Sequence, residues 1–220
     1  SAHQKNMDKK LQALIRKEIK RQEESLDLIP SENIADPEIL HIVGSPLANK
    51  YSEGYAGKRY YPGNRFYDEI EELAKQRALR AFQLSARDWG VNVQALSGSP
   101  ANLAIYLALI KPGDTIMGLK LSHGGHLTHG HSVSFSGMLY NSVPYELGPD
   151  GYIDYEGLEA LAKKHKPKVI ISGATAYSRI IDFKRIGAIA KKTGAYHLAD
   201  ISHIAGLLAA GVDPSPFPYA

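Results

Sequence analysis

The residue types and spacing around position 200 suggest chemistry more directly than any other part of this sequence. Asp200 follows a short apolar stretch, residues 196–199, that predicts a buried strand, and His203 stands three residues further on. Ligands of open parallel sheets bind beyond the carboxyl ends of the strands, so we expect Asp200 to face a ligand. A buried carboxylate requires a cationic or protonated partner, such as the protonated nitrogen of a heteroaromatic ring. The alternative is structural: Asp200 caps a helix through the backbone N–H of Ser202 or His203.

A second candidate site is the turn at residues 97–102, Ser-Gly-Ser-Pro-Ala-Asn, which joins a predicted strand to a helix. Pro100 suits the first helical turn, where its missing N–H costs least. Unpaired N–H groups and the helix dipole make such an N-terminus a site for an anion. The turn matches neither a Walker A loop nor a dinucleotide fingerprint, which favours a single phosphate. A capped helix without a ligand is the alternative.

Histidines are concentrated in residues 123–131, which hold four of the nine in the chain. Neutral imidazoles at these spacings could chelate zinc, which is one hypothesis. The other is that a single imidazole stacks on an aromatic cofactor while the adjacent glycines let the backbone approach closely. No Asp or Glu stands between His123 and Tyr145 to complete a common set of ligands, so we favour stacking and expect no metal.

The segment from Asn49 to Asp68 holds five of the thirteen tyrosines, together with glycines and cations. No helical or strand period fits it, so we expect an irregular loop. Loops carry function, and Tyr and Arg are favoured at contacts, so we expect a binding surface. Its cations Lys50, Lys58 and Arg59 are expected to bind phosphate or carboxylate. An ordinary contact between subunits is the alternative, and both interpretations can hold together.

Apolar periodicity predicts helices and strands in alternation. Predicted helices span residues 6–25, 66–81, 103–110, 155–164 and 183–192, with another beginning near Pro37; predicted strands lie at 91–93, 114–118, 139–143, 168–172 and 196–199. Strands of about five residues alternating with helices of about ten imply an α/β fold with a mostly parallel (mixed) sheet flanked by helices.

Thr175 follows a strand end and belongs to the same crevice as Asp200. Ser31 either caps the helix near Pro37 or offers its hydroxyl to a substrate.

Composition bounds the class of protein. A chain of 220 residues with 44% hydrophobic and 22% charged residues can bury a substantial core. The net charge of +3 is small and the cations alternate with acids, which argues against nucleic-acid binding. The absence of cysteine excludes disulfides and thiolate metal sites. With no apolar run of about 20 residues and no signal-peptide core, we expect a cytoplasmic protein that does not enter the membrane.

Five motifs carry a family resemblance: residues 28–33 (LIPSEN), 49–61 (NKYSEGYAGKRYY), 97–102 (SGSPAN), 123–130 (HGGHLTHG) and 200–207 (DISHIAGL). Together they resemble serine hydroxymethyltransferase, a fold-type I pyridoxal-phosphate enzyme. The resemblance extends from about Leu11 to Ala220. It implies an N-terminal helical arm, residues 1–50, and the first part of the large cofactor-binding domain, residues 51–220, with the rest of that domain and the small domain absent.

The resemblance also implies pyridoxal 5'-phosphate as cofactor and tetrahydrofolate as co-substrate. The implied cofactor-binding residues are Tyr51, Ser97, Gly98, Ser99, His126, Thr175, Asp200 and His203. Residues 97–99 would hold the phosphate, His126 would stack on the ring, and Asp200 would pair with the ring nitrogen. Thr175 and His203 would lie near the ring hydroxyl. The implied catalytic residues are Glu53, His126, Asp200 and His203.

A further set is implied to bind the substrates: Ser31, Glu53, Tyr61, Leu121, Gly125 and Leu127. Ser31 would contact the amino-acid carboxylate, and the last three would line the folate site. Tyr51, Glu53 and Tyr61 would belong to a loop that enters the neighbouring subunit's site, where Glu53 would transfer protons and Tyr51 would bind phosphate. A homodimer or a dimer of dimers with shared active sites is therefore implied.

The implied activity is the reversible conversion of serine and tetrahydrofolate to glycine and 5,10-methylenetetrahydrofolate, through aldimine and quinonoid intermediates. We expect this chain to stop before the lysine that forms the Schiff base, to be inactive alone, and to need other strands beside its sheet, from a complementary C-terminal fragment if one exists. The sequence departs from the family at Pro30, where Ala is usual, and at residues 62–64, where Pro-Gly-Asn replaces a Gly-Gly pair.

Three alternatives to this activity remain open at the level of sequence. One is a pyridoxal-phosphate aldolase that acts on β-hydroxy amino acids without folate. Another is an inactive chain that only binds and assembles. The third is a metal hydrolase built on the four clustered histidines.

Overall fold

The chain divides into two compact units in the computed structural model, which describes residues 8–29 and 31–220. One unit extends to Asp36 and the other runs from Pro37 to Ala220. Pro30, one of the two departures from the family, lies outside the described residues. The division into an arm of residues 1–50 and a large domain from residue 51 stays a prediction.

Helix α1, Lys9–Glu24, is the principal element of the first unit and confirms the helix predicted there. The carboxylate of Asp8 accepts two backbone N–H groups of its first turn, at 2.7 and 3.1 Å, and so caps the helix. Its apolar residues recur with helical spacing and form one face. They remain between 41% and 54% exposed: Leu11, Leu14, Ile15 and Ile19.

The second unit alternates helices and strands along most of its length. Its helices are α2 Pro37–Val43, α3 Arg65–Ala81, α4 Gly98–Leu109, α5 Phe135–Leu139, α6 Tyr155–His165, α7 Phe183–Thr193 and α8 Ala205–Ala209. Its strands are β1 Gly54–Tyr55, β2 Lys58–Arg59, β3 Thr115–Met117, β4 Asn141–Ser142, β5 Val169–Ser172 and β6 Tyr196–Ala199. Single 3₁₀ turns occur at Pro46–Asn49, Leu121–His123 and Leu127–His129.

Four parallel strands form the sheet, in the order β4-β3-β5-β6. Successive side chains of a strand point to opposite faces, so β3 sends Ile116 to one side and Met117 to the other. Met117 packs into a core with α6 and α7, whereas Ile116 packs against Tyr106 of α4. All four residues of β5 are buried. The sheet is thus covered by helices on both faces, which confirms the predicted α/β class.

Three predictions of local structure are wrong. Residues 91–93 form no strand, because a strand requires a hydrogen-bonded neighbour and no described segment pairs with them. The predicted strand 139–143 shortens to β4, since Leu139 ends α5. The tyrosine-rich loop is not irregular throughout, because β1 and β2 form an antiparallel hairpin, with Gly57 at φ 73° in its turn.

Each helix among the described residues falls short of the length or the apolarity that a bilayer-spanning helix requires.

Candidate active site

A cavity of about 200 Å³ lies where β5 and β6 end and α4 begins. The structure brings together there every residue that the sequence implied for the cofactor except Tyr51. These are Ser97, Gly98, Ser99, His126, Thr175, Asp200 and His203. They converge because parallel strands place their carboxyl ends at one edge of the sheet, where the N-terminus of a helix also lies. The same cavity is also lined by three polar residues that the sequence did not assign to the cofactor, Asn102, His129 and Ser202.

Asp200 is held at the end of β6 by four hydrogen bonds. Asn102 Nδ2 donates to Oδ2 at 2.9 Å, and His129 Nε2 lies 2.9 Å from the same oxygen. The backbone N–H and the hydroxyl of Ser202 donate to Oδ1 at 3.1 and 2.6 Å. Burial would raise the pKa of Asp200, but the hydrogen bonds from His129, Ser202 and Asn102 lower it well below its usual range. The carboxylate is therefore ionised and fixed in orientation.

The structural alternative for Asp200 is right about the bond but wrong about the helix: the Ser202 N–H donates to Oδ1, yet this bond closes a turn, because α8 begins only at Ala205 and has no side-chain cap. The turn at Ser202 engages Oδ1, whereas Oδ2 is oriented by the side chains of Asn102 and His129. One carboxylate thus holds the following turn and lines the cavity at the same time.

His126 is connected to Asp200 through side chains. Asn102 Nδ2 donates to Thr128 Oγ1 at 2.8 Å as well as to Asp200. Thr128 Oγ1 lies 2.7 Å from His126 Nδ1, which also accepts the Thr128 backbone N–H at 3.2 Å. Burial lowers the pKa of His126, and the neighbouring His129 lowers it further. The imidazole at the cavity is therefore neutral at physiological pH, with Nδ1 as an acceptor.

His129 links Asp200 and His126, the two residues that the sequence implied for the ring nitrogen and the ring face of the cofactor. It is buried, its Nε2 faces Asp200, and its Nδ1 accepts the backbone N–H of His126 at 3.4 Å. Asn102 is also buried. The sequence held a signal for these two residues, because Asn102 lies in the motif 97–102 and His129 in the motif 123–130. Nothing in the sequence indicated which polar side chains of these motifs turn inward.

A metal site is the alternative use of the same histidines. His126, His129 and Asp200 each offer a ligand atom, and the three atoms lie within 4.8 Å of one another. The Nδ1 of His129 is an acceptor, so its Nε2 carries the proton and donates to Asp200. This nitrogen would have to release its proton and give up the bond to Asp200 before it could ligate a metal, so the hydrogen bonding favours the stacking hypothesis.

The glycine pair of residues 124–125 fixes the approach to His126. Gly124 has φ 97°, and a Cβ on it would lie 2.3 Å from the carbonyl oxygen of Ala176. A Cβ on Gly125 would lie 1.9 Å from the carbonyl oxygen of Leu119. The carbonyl of Gly124 accepts the N–H of Thr175 at 2.8 Å. The close approach predicted for these glycines is therefore an approach to the chain's own backbone. The hydrogen bond between Gly124 and Thr175 connects the His126 turn to the segment after β5.

Two further features of the cavity are polar groups without an internal partner. No side-chain hydrogen bond caps α4, although Ser97 occupies its N-cap position, so the alternative of a side-chain-capped helix is not what the structure shows. The hydroxyl of Thr175 is buried and has no hydrogen-bond partner. An unpartnered buried hydroxyl is costly, and it indicates room for a polar ligand group.

The three loop residues implied to act in a neighbouring subunit do not line this cavity. Tyr51 and Tyr61 are 74% and 45% exposed, with ring centroids 5.5 Å apart, and Glu53 is exposed. Their role in a second subunit stays a prediction. Ser31 belongs to the first unit, and its contact with a substrate also stays a prediction.

The residues implied for the folate site lie around the His126 turn. Leu121 lines a larger adjoining cavity of about 740 Å³ that shares His126 and His129 with the first. Leu127 is partly exposed, and Gly125 is buried against Leu119. Their contact with folate also stays a prediction.

One prediction about the loop cations is wrong. Arg59 is not available for a phosphate or carboxylate ligand, because its guanidinium donates to Asp68 and Glu71 at 2.8 and 2.7 Å and is only 6% exposed. The sequence could not indicate this, since both acids lie in the following helix, α3. Lys50 donates to the carbonyl of Tyr51 at 3.0 Å, and Lys58 is exposed.

Comparison with known proteins agrees with this geometry. The family model described as serine hydroxymethyltransferase matches residues 4–220. A cytosolic serine hydroxymethyltransferase of Candida glabrata is 50% identical over 226 residues, covering 100% of this chain and 48% of that protein. A serine hydroxymethyltransferase of Campylobacter jejuni is 55% identical over 213 residues, covering 97% and 50%. The chain spans about half the length of the curated relatives it matches. By its match to the family model over nearly its whole length, the chain belongs to the serine hydroxymethyltransferase family.

Proposed function

We propose that this chain supplies the pyridoxal 5'-phosphate site of an enzyme that interconverts serine and glycine with tetrahydrofolate as the one-carbon acceptor. The observation that carries the proposal is the convergence of an uncapped helix N-terminus, a neutral imidazole and a fixed, ionised carboxylate on one cavity. Family membership and the names of the relatives support the same activity.

The residues present fit this cofactor. The α4 N-terminus with Ser97, Gly98 and Ser99 would hold a phosphate, because its N–H groups and dipole favour an anion. His126 would cover one face of the ring, and Asp200 would meet the ring nitrogen. The unpartnered hydroxyl of Thr175, together with His203, would serve a polar substituent of the ring. When bound, the cofactor supplies an electron sink for the pair released at the amino-acid α carbon.

The chain's own contribution to the chemistry is electrostatic. An ionised Asp200 holds a proton on the ring nitrogen, since its pKa lies far below that of the group it faces. The fixed orientation of the carboxylate means that no rearrangement is needed when the positive charge arrives. The neutral His126 can lie against the ring without competing for that proton.

Substrate binding and assembly complete the proposal. Tyr51, Glu53 and Tyr61 would enter the site of a second copy, and Glu53 would transfer a proton there. Their exposure and absence from the local cavity support this arrangement in a homodimer or a dimer of dimers. Ser31 would bind the amino-acid carboxylate, and Leu121, Gly125 and Leu127 would line the folate site. Relatives named cytosolic support a cytoplasmic location.

The test is the Asp200→Asn variant in a full-length, cofactor-loaded form of the enzyme, because this chain alone is expected to be inactive. The control is Asp88→Asn, which removes an exposed carboxylate. Loss of a hydrogen bond to a charged group costs about 1.5–3 kcal/mol, which corresponds to cofactor binding weaker by roughly 10- to 150-fold. We expect a still larger loss of kcat for serine in the presence of tetrahydrofolate, and wild-type behaviour from Asp88→Asn. Wild-type affinity and kcat in Asp200→Asn would refute the assignment. Serine cleavage at the same rate without tetrahydrofolate would instead indicate a folate-independent aldolase.

A further inference from the structure

Arg59 occupies a buried position inside the tyrosine-rich loop, where its guanidinium is surrounded by acceptors of the same unit. Nε donates to Asp68 Oδ1 at 2.8 Å, and Nη2 donates to Glu71 Oε2 at 2.7 Å. Nη1 donates to the carbonyl oxygens of Ser52 and Gly54, at 2.7 and 2.5 Å. A single planar cation thus satisfies two carboxylates and two backbone carbonyls, a pattern that the rigid guanidinium fork makes possible.

The two carbonyls bound by Arg59 flank Glu53 on either side. The carbonyl between them, that of Glu53 itself, accepts the backbone N–H of Tyr60 at 3.1 Å. The carbonyl of Gly54 accepts a second bond, from Gln94 Nε2 at 3.0 Å. Three consecutive peptide groups around Glu53 are therefore fixed, whereas the Glu53 side chain itself is exposed.

The acids that orient Arg59 are themselves held. Asp68 Oδ2 accepts the Gly57 N–H at 2.9 Å, which closes the hairpin turn onto α3. Glu71 is also bound by Lys75 at 3.2 Å. Gly54 adopts φ 98°, and a Cβ there would lie 2.5 Å from the Lys58 carbonyl oxygen, so the hairpin has little freedom to take another shape.

We propose that Arg59 is a positioning residue, which fixes the backbone that presents the Glu53 carboxylate for proton transfer. The inference rests on the proposed function, because it assumes that Glu53 exchanges protons with the substrate. Proton transfer depends on placement within a fraction of an ångström, so a loop that carries an acid or base needs rigid support from residues outside the chemistry.

The experiment uses steady-state kinetics of the full-length, cofactor-loaded enzyme carrying Glu53→Gln, Arg59→Gln, or both changes. Arg65→Gln is the matched control, because Arg65 is an exposed arginine six residues away that pairs with exposed Glu69. We expect Arg59→Gln to lower kcat by about 10- to 100-fold with little change in the KM for serine. The absorbance of the bound cofactor should be unchanged. If Arg59 acts through Glu53, the double variant should be no slower than Glu53→Gln alone.

Each other outcome has a definite meaning. Additive losses in the double variant would show that Arg59 has only a general structural role, and would overturn the inference. An unchanged kcat in Arg59→Gln, with a low kcat in Glu53→Gln, would overturn this inference alone. An unchanged kcat in Glu53→Gln would overturn it together with the proposed role of Glu53, whereas Asp200→Asn tests the cofactor site separately. Should Arg59→Gln fail to fold, Arg59→Lys keeps the buried charge but cannot reach four acceptors, and it serves in the same comparison.

Discussion

Replacing His129 with leucine tests whether the buried imidazole contributes to the state of Asp200. The change keeps a side chain of similar bulk but removes the N–H that lies 2.9 Å from Asp200 Oδ2. A hydrogen bond to a charged group contributes about 1.5–3 kcal/mol, and the His129 side chain is only 1% exposed, so water cannot replace it. We expect the cofactor-free His129→Leu protein to lose about that much free energy of unfolding at pH 7, measured by urea denaturation.

The pH dependence identifies the carboxylate as the partner. The pKa of Asp200 is lower in the folded protein than its ordinary value of 3.8, so its stabilising contribution is complete above that value and is lost as the pH falls toward the folded pKa. The difference between wild type and His129→Leu should therefore be constant between about pH 5 and 7 and should shrink below about pH 4. His129→Gln, which retains an N–H donor, should lose less.

His165→Leu is the control for this experiment, because His165 is an exposed histidine at the end of α6. It should leave the free energy of unfolding nearly unchanged. The reasoning is refuted if His129→Leu is as stable as wild type at pH 7. It is also refuted if the loss stays the same down to pH 3, since the imidazole would then stabilise the fold by packing and not through the Asp200 carboxylate.

Two further changes test other contacts. Thr175→Val removes a buried hydroxyl that has no partner, so the cofactor-free protein should be as stable as wild type or more stable. The Kd for pyridoxal phosphate, measured by fluorescence titration, should rise. An unchanged Kd would contradict the placement of this hydroxyl at the cofactor. Burial lowers the pKa of His197 below its ordinary 6.5, so the unfolded chain takes up a proton first and wild-type stability should fall as the pH drops from 7 to 5. His197→Asn should make that fall smaller in urea titrations at pH 7 and pH 5, and equal slopes would count against it.

The sequence predicted well that these residues converge at the strand ends, because the information for this convergence is local. Apolar stretches followed by Thr175 and Asp200 mark the ends of β5 and β6, and parallel strands bring those ends to one edge. The small residues before Pro100 likewise mark the start of α4. In each case a short run of sequence determines both the element and the position where it begins or ends, so no knowledge of distant contacts is needed.

What the sequence did not indicate depends on contacts between distant residues. Arg59 could equally have been a surface cation, and only its ion pairs with two acids of α3 show that it is buried. Four histidines within nine residues gave no reason to choose His129 as the one that faces Asp200. The strand expected at residues 91–93 failed for a related reason, because β structure depends on a hydrogen-bonded neighbour that apolar alternation cannot specify.

The hydrogen bonds around Asp200 are made within this chain, from Asn102, His129 and Ser202. Water is therefore stripped from the carboxylate during folding, and the energetic penalty of doing so falls on the conformational stability of the polypeptide. A protonated ring nitrogen that reaches the cavity later meets a carboxylate that is already largely desolvated and fixed in orientation, so most of their mutual attraction is available as affinity. Tight binding of a ring with a protonated nitrogen and modest stability of the cofactor-free protein are, on this account, two results of one arrangement.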